Sequence, residues 1–166
     1  MRKSKINISG FKIGTAENRE GLTGVTVILA PDGGATAGVD VRGCAPGTRE
    51  TDLLDPRKTV QKIHAVVLSG GSAFGLEAAS GCVKYLAEQG VGFPIGNVCV
   101  PIVCSAVLFD LMIGDEKAYP ALLMGYEAAK SASSEFLSGC NGAGTGATVG
   151  KLLGFGNAMK SGAGYH

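Results

Sequence analysis

His64-Ala-Val-Val-Leu68 is an uninterrupted apolar run, and Ser69-Gly-Gly-Ser72 follows it just before a helical period begins. A run this short and β-branched reads as a strand covered on both faces rather than as a core helix. From Ala73 to Gln89, Leu76, Ala79, Val83 and Leu86 recur on one helical face, and Gly90 is placed to stop the helix. Gly75 and Gly81 lie inside it, each costing up to about 1 kcal/mol of helix propensity, which predicts close packing against a neighbour. A buried strand, a glycine turn and an amphipathic helix in series require a layered domain, with the helix lying on a sheet.

The rest of the chain fills in that domain. Phe11 to Ala16 opens a strand, and Gly24-Val-Thr-Val-Ile-Leu-Ala30 is a stronger one. Pro31-Asp-Gly-Gly34 is a turn, because proline presets one corner and glycine accepts positive φ. Ala35 to Arg42 then reads as the returning partner of 24–30, making a hairpin. Val98 to Val103 reads as a further strand, Cys104 to Met112 as a short helix, and Ala121 to Ser133 as a second clear helix behind Pro120. Beyond Ser138, glycine and small residues dominate. The expected fold class is α/β (α+β), one domain over 1–166, with a mainly antiparallel sheet and the 73–89 helix on one side.

Composition removes several function classes. Net charge is +1, so neither nucleic acid nor an anionic membrane is an expected partner. Arg2, Lys3 and Lys5 make a solvated terminus with no apolar segment behind them, unlike a signal peptide. The longest apolar stretch, Val98 to Phe109, is about half a membrane span and contains Pro101. Five cysteines form no CxxC pair, which points to reduced thiols and a cytoplasmic location. With only His64 and His166 available, no His-based metal site and no cofactor are expected. Charged residues are 17%, below the roughly 25% usual in soluble domains. That shortage predicts surface covered by other chains, as in a homo-oligomer.

Three tempting signatures fail. Ser72 follows a strand and precedes a helix as a nucleophile elbow does, but position 74 is Phe where that motif needs glycine. The simpler reading of Ser72 is a helix N-cap. Gly150-Lys151 resembles the end of a phosphate loop, yet Thr145 replaces its first glycine and Leu152 its Ser/Thr. Gly142-Ala-Gly144-Thr-Gly-Ala147 matches G-x-G-x-x-A, with no strand leading into it. Asp52 and Asp55, beside Arg49, Arg57 and Lys58, read as solvated or salt-bridged carboxylates.

What remains is a series of unusual segments in order. They are Gly24-Val-Thr-Val, Arg42-Gly-Cys-Ala-Pro-Gly-Thr-Arg-Glu-Thr-Asp-Leu-Leu54 and His64-Ala-Val-Val-Leu-Ser-Gly-Gly-Ser-Ala-Phe-Gly-Leu76, followed by Val100-Pro-Ile-Val-Cys-Ser-Ala-Val-Leu-Phe-Asp-Leu111 and Asn141-Gly-Ala-Gly-Thr-Gly-Ala-Thr-Val-Gly-Lys151. Together they resemble the N-terminal part of the DmpA-like family: L-aminopeptidase/D-amidase esterases, β-peptidyl aminopeptidases and nylon-oligomer hydrolases. The resemblance implies the DmpA/ornithine acetyltransferase fold, an α/β/β/α sandwich, incomplete in this chain. It implies a precursor that cuts itself ahead of a Ser or Thr, which then heads a downstream β-chain as the nucleophile. It further implies hydrolysis of a small peptide or amide substrate. That nucleophile and the oxyanion asparagine of the family have no counterparts up to His166, so the chain alone is expected to be inactive. An acyltransferase of the ornithine acetyltransferase type and a non-catalytic assembly subunit are the alternatives.

Four residues carry over. Lys151 matches the Gly-Lys position of the nylon-hydrolase branch, where an ammonium stabilises developing negative charge. Phe109 stands where several relatives have a pocket tyrosine. Val98, eleven positions earlier, is expected to offer a backbone N–H to the oxyanion. Ser72 and the Ser69–Ser72 turn are expected to border the substrate, because glycine lets a ligand approach the backbone.

Overall fold

Val25, Val27 and Leu29 alternate with Thr26 and Ile28 along one strand, which gives it one wholly apolar face. The structure, a computed structural model, describes residues 2–164, so His166 lies outside the described residues. Strands β1 to β5 are Arg2–Lys5, Lys12–Asn18, Thr23–Leu29, Thr48–Arg49 and Ala65–Ser69. Strands β6 to β8 are Phe93–Ile95, Val98–Val100 and Val103–Val107. Strands β9 to β11 are Glu135–Ser138, Thr148–Val149 and Met159–Lys160. The helices are α1, Ala78–Glu88, and α2, Leu122–Lys130.

The central sheet runs β2-β3-β5-β8-β4, antiparallel throughout except for the parallel β5–β8 step. A parallel step needs a crossover, and α1 lies in the one between β5 and β8. Both helices cover one face of the sheet. Val25, Val27, Ala65, Val67 and Val103 bury there against Ala78, Cys82, Leu86 and Ala128. Each completely buried valine contributes about 1.5–3 kcal/mol. The opposite face is partly open: Ile28 and Val66 are half-buried and Leu68 is 39% exposed. The strand expected to be covered on both faces is therefore covered on one.

Helix α1 ends as its sequence predicts. Gly90 adopts φ +68°, its N–H bonds to Ala87 O, and Val91 N–H reaches back to Leu86 O. That pair of bonds closes a Schellman cap. The close packing foreseen at Gly81 is against α2: a Cβ there would lie 1.9 Å from Leu122 O, and one at Gly125 would lie 1.9 Å from Ala78 O.

Two elements differ from expectation. Residues 35–42 form no strand; only Ala35 bridges, to Ile63. The reason is that β3 has β2 on one edge and β5 on the other, leaving 35–42 no edge to join. Cys104 to Met112 is not a helix, because Val103–Val107 enters the sheet beside β5. The preceding segment is a separate hairpin of β6 and β7, turning at Gly96. Among the described residues no helix is long and apolar enough to cross a membrane.

All five cysteines are free: Cys44 and Cys140 are exposed, Cys99 is half-buried, and Cys82 and Cys104 are buried. Burial pushes the Cys82 thiol up to about 12, and burial with the Glu50 charge raises Cys104. Since the thiolate is the reactive form, a thiol-disulfide reagent at pH 8 should label Cys44 and Cys140 fast and leave Cys82 and Cys104 until the chain is unfolded. Fast labelling of Cys82 in the native chain would contradict this core.

His64 introduces a pH dependence. It is buried at the start of β5, and its Nδ1 accepts the Ile102 N–H at 3.1 Å. Burial holds its pKa below the ordinary 6.5, so the folded state keeps a neutral ring that the unfolded state protonates first. Its stability contribution is full above about pH 6.5 and is lost as pH falls from there through the folded pKa. The urea midpoint of the wild type should fall between pH 7.5 and pH 5.5 more than that of His64→Gln. Parallel pH profiles would refute this role.

Candidate functional site

Asp110 is a single carboxylate at the end of an apolar run, and such a group must be buried with partners if it enters the core. It is 2% exposed, three residues beyond the end of β8. Its Oδ1 accepts the Gly71 N–H at 2.6 Å and its Oδ2 accepts the Thr23 hydroxyl at 2.8 Å. Glycines make room for it. A Cβ at Gly70 would lie 2.1 Å from Oδ2, and one at Gly146 would lie 2.5 Å from it. Three distant segments, the start of β3, the turn after β5 and the glycine-rich 142–147 stretch, thus meet on one side chain.

Ser72 stands in that turn at φ +54°, directly after Gly71 at φ +79°. A non-glycine residue held there costs on the order of 1–3 kcal/mol. A 3-10 helix over Ser72–Glu77 follows and leads into α1; its cap position is Gly71, so Ser72 is not the N-cap. The strained strand-to-helix turn has the outline of a nucleophile elbow. Among the described residues the Ser72 hydroxyl bonds no base: His64 lies at the far end of β5 with Nδ1 already occupied, and the Asp110 carboxylate is engaged by Gly71 and Thr23. Nor does the turn offer amides. Gly70 N–H goes to Gly24 O, Gly71 N–H to Asp110 and Ser72 N–H to Leu108 O. The close approach its glycines allow is made by Asp110 and, at Gly71, by Tyr119 and Pro120.

Phe109 follows Leu108 and is 41% exposed, its ring 6.0 Å from that of Phe155. Phe74, two residues past Ser72, stacks on Tyr119 at 4.9 Å, and both are exposed. Aromatic rings therefore rim the turn. Lys151 is half-buried and donates to Thr148 O at 2.9 Å. In the preceding segment the Thr145 and Thr148 hydroxyls are buried without a partner. Lys160, which sequence reading passed over, donates to Gly144 O, Ala147 O and Ser161 O within 3.1 Å. It clamps the glycine-rich segment through carbonyls and, fully engaged, is no base for Ser161. Asn141 is 1% exposed, accepting from Arg19 and donating to Ser138 O.

Ser72 and Phe109 thus come together at the C-terminal ends of β5 and β8, and Phe155 links Phe109 to the segment bearing Lys151. Val98 does not join them. It is 61% exposed on the β6–β7 hairpin, ahead of the opposite end of β8. Asp55 is held by a two-pronged pair with Arg57, as expected of a loop carboxylate, which lowers its pKa to about 2.

An uncharacterised aminopeptidase of Mycobacterium tuberculosis is 47% identical over 131 residues, covering 79% of this chain and 38% of the relative. A 6-aminohexanoate-oligomer endohydrolase of Paenarthrobacter ureafaciens is 36% identical over 149 residues, covering 89% and 39%. The chain therefore spans about two fifths of the length of these curated relatives. Among solved structures, the L-aminopeptidase D-Ala-esterase/amidase of Ochrobactrum anthropi, described as a variant of the Ntn-hydrolase fold, superposes with TM-score 0.65 at 18% identity. The overlap covers 84% of this chain and 42% of that one, and it shows the fold. The sequence match extends over residues 5–161, and the chain belongs to peptidase family S58.

Proposed function

We propose that this chain is the N-terminal part of a self-processing amide hydrolase that releases an N-terminal residue or a short oligomer from a small peptide or related amide. The observation that carries the reading is an aromatic-rimmed site that gathers Ser72, Phe109 and the Lys151 segment, yet in which the one hydroxyl seated on a carboxylate, that of Thr23 on Asp110, is buried and neither Ser72 nor Ser161 has a base among the described residues. A nucleophile supplied by a downstream segment completes such a site. A Ser or Thr at a new N-terminus brings its own base, since a free α-amino group has a pKa of about 7.7–8.0. Its hydroxyl attacks the amide carbon and passes its proton to that amine, which hands it to the leaving nitrogen; water then resolves the acyl-enzyme.

In this account Lys151 turns from Thr148 O toward the developing oxyanion, and Phe109 walls the substrate without offering it a hydroxyl. The downstream segment covers the open face of the sheet at Ile28, Val66 and Leu68. Leu152, Leu153, Phe155 and Met159, all exposed, suit a contact with another chain of a homo-oligomer. Five free thiols suit a reducing cytoplasm.

Lys151 gives the first test. In the protein made from the complete reading frame, Lys151→Ala should lower kcat on an amino-acid p-nitroanilide or a 6-aminohexanoate oligomer by roughly a hundredfold. Lys151→Arg should retain more of the rate, since it keeps the charge. Unchanged kcat in Lys151→Ala would remove the lysine from the chemistry.

A further inference from the structure

We propose that Asp110 is the positioning residue of this site: its carboxylate holds the Ser72 turn in its left-handed conformation and fixes it against β3 and the glycine-rich segment. The inference rests on the reading of this region as the active site, and its test does not depend on turnover. Of the three non-glycine residues with positive φ among the described residues, two flank partners of this one carboxylate. Leu22, at φ +52°, precedes Thr23, which donates to Oδ2, and Ser72, at φ +54°, follows Gly71, which donates to Oδ1. The third, Glu50, lies elsewhere, its carbonyl accepting the Cys104 thiol.

Strained backbone persists only where its surroundings over-determine it. Here the determinants converge: Gly146 packs on the Asp110 side chain and also against Leu22 O, so the glycine-rich segment abuts the strained Leu22 as well as the carboxylate. Asp110 is next to Phe109 in the chain, Gly71 is next to Ser72, and Gly146 lies five residues before Lys151. One buried side chain therefore sets the relative placement of three candidate site residues without itself facing solvent.

The test uses the ¹⁵N-labelled chain 1–166, reading Gly71 amide exchange and the φ-dependent HN–Hα coupling of Ser72. Asp110→Asn keeps Oδ1 as the acceptor for the Gly71 N–H, and its Nδ2 can donate to the Thr23 hydroxyl oxygen in place of the bond Oδ2 accepted, so both readouts should stay close to the wild type. Asp110→Ala removes both bonds; Gly71 exchange should rise at least about tenfold, as expected for a lost hydrogen bond to a charged group, and Ser72 should move toward negative φ. Equal behaviour of the Asn and Ala variants, or unchanged readouts in Ala, overturns the proposal. Should Asp110→Ala fail to fold, Thr23→Val carries the test, since it removes one of the carboxylate's two anchors. Faster Gly71 exchange in Thr23→Val supports the proposal, and unchanged exchange overturns it. A failure here leaves the amide-hydrolase reading standing, because hydrolysis is measured separately.

Discussion

Gly81→Val is expected to destabilise the chain by about 3 kcal/mol or more, at or above the upper end of ordinary overpacking. A Cβ at position 81 would meet Leu122 O at 1.9 Å and Tyr126 N at 2.5 Å, both backbone atoms of α2 that no rotamer change can move aside. Valine adds two methyl groups to that clash. For a chain of this size the loss corresponds to a melting temperature lower by roughly 6–12 °C. The reciprocal change, Gly125→Val, meets Ala78 O at 1.9 Å and should do the same. Gly38→Ala is the control: no atom lies within 4 Å of its Cβ position, so its melting temperature should stay close to that of the wild type. Equal melting of the Gly81 and Gly38 variants would mean that the two helices do not cross at these glycines.

That crossing was legible because its signal is local. Helix α1 has a period, its end has Gly90, and its interior glycines demand a reason that close packing supplies. Strand β3 was legible for the same reason, being β-branched and followed by Pro31-Asp-Gly-Gly34. The failures are non-local. Residues 35–42 alternate well enough for a strand, yet pairing depends on a free edge, and both edges of β3 are filled by strands distant in sequence or preceding it. Cys-Ser-Ala in Val103–Val107 has no distinguishing period and is compatible with a helix; its identity as a strand comes from β5, almost forty residues earlier.

The site divides the same way. Ser72 and Phe109 were found through resemblance, and the structure brings their segments together through the Ser72–Leu108 hydrogen bond. Val98 carries over by the same resemblance, and it lies apart from them, paired with Ile95 in the hairpin at 93–100. Asp110 has a plain sequence signal: one acid among Val98 to Leu111 must find buried donors or stay out of the core. Lys160 carried no such signal, because the carbonyls it binds come from a loop sixteen and thirteen residues away.

The second large effect concerns chemistry, and it bears on the central claim that the nucleophile comes from downstream. An isolated serine hydroxyl without a base is a poor nucleophile at neutral pH. Ser72 has none, and the amine nearest Ser161 in sequence, Lys160, is spent on three carbonyls. Supplying the N-terminal Ser or Thr should raise amide hydrolysis by several orders of magnitude, the scale on which a nucleophile and its base act together. The measurement is p-nitroanilide release by equimolar chain 1–166 and by the product of the complete reading frame, with intact mass recorded for each. The account predicts background turnover by chain 1–166. It predicts two chains and measurable turnover from the complete product, with the second chain beginning at Ser or Thr. Robust turnover by chain 1–166 alone, or an active complete product that remains a single uncut chain, would contradict it.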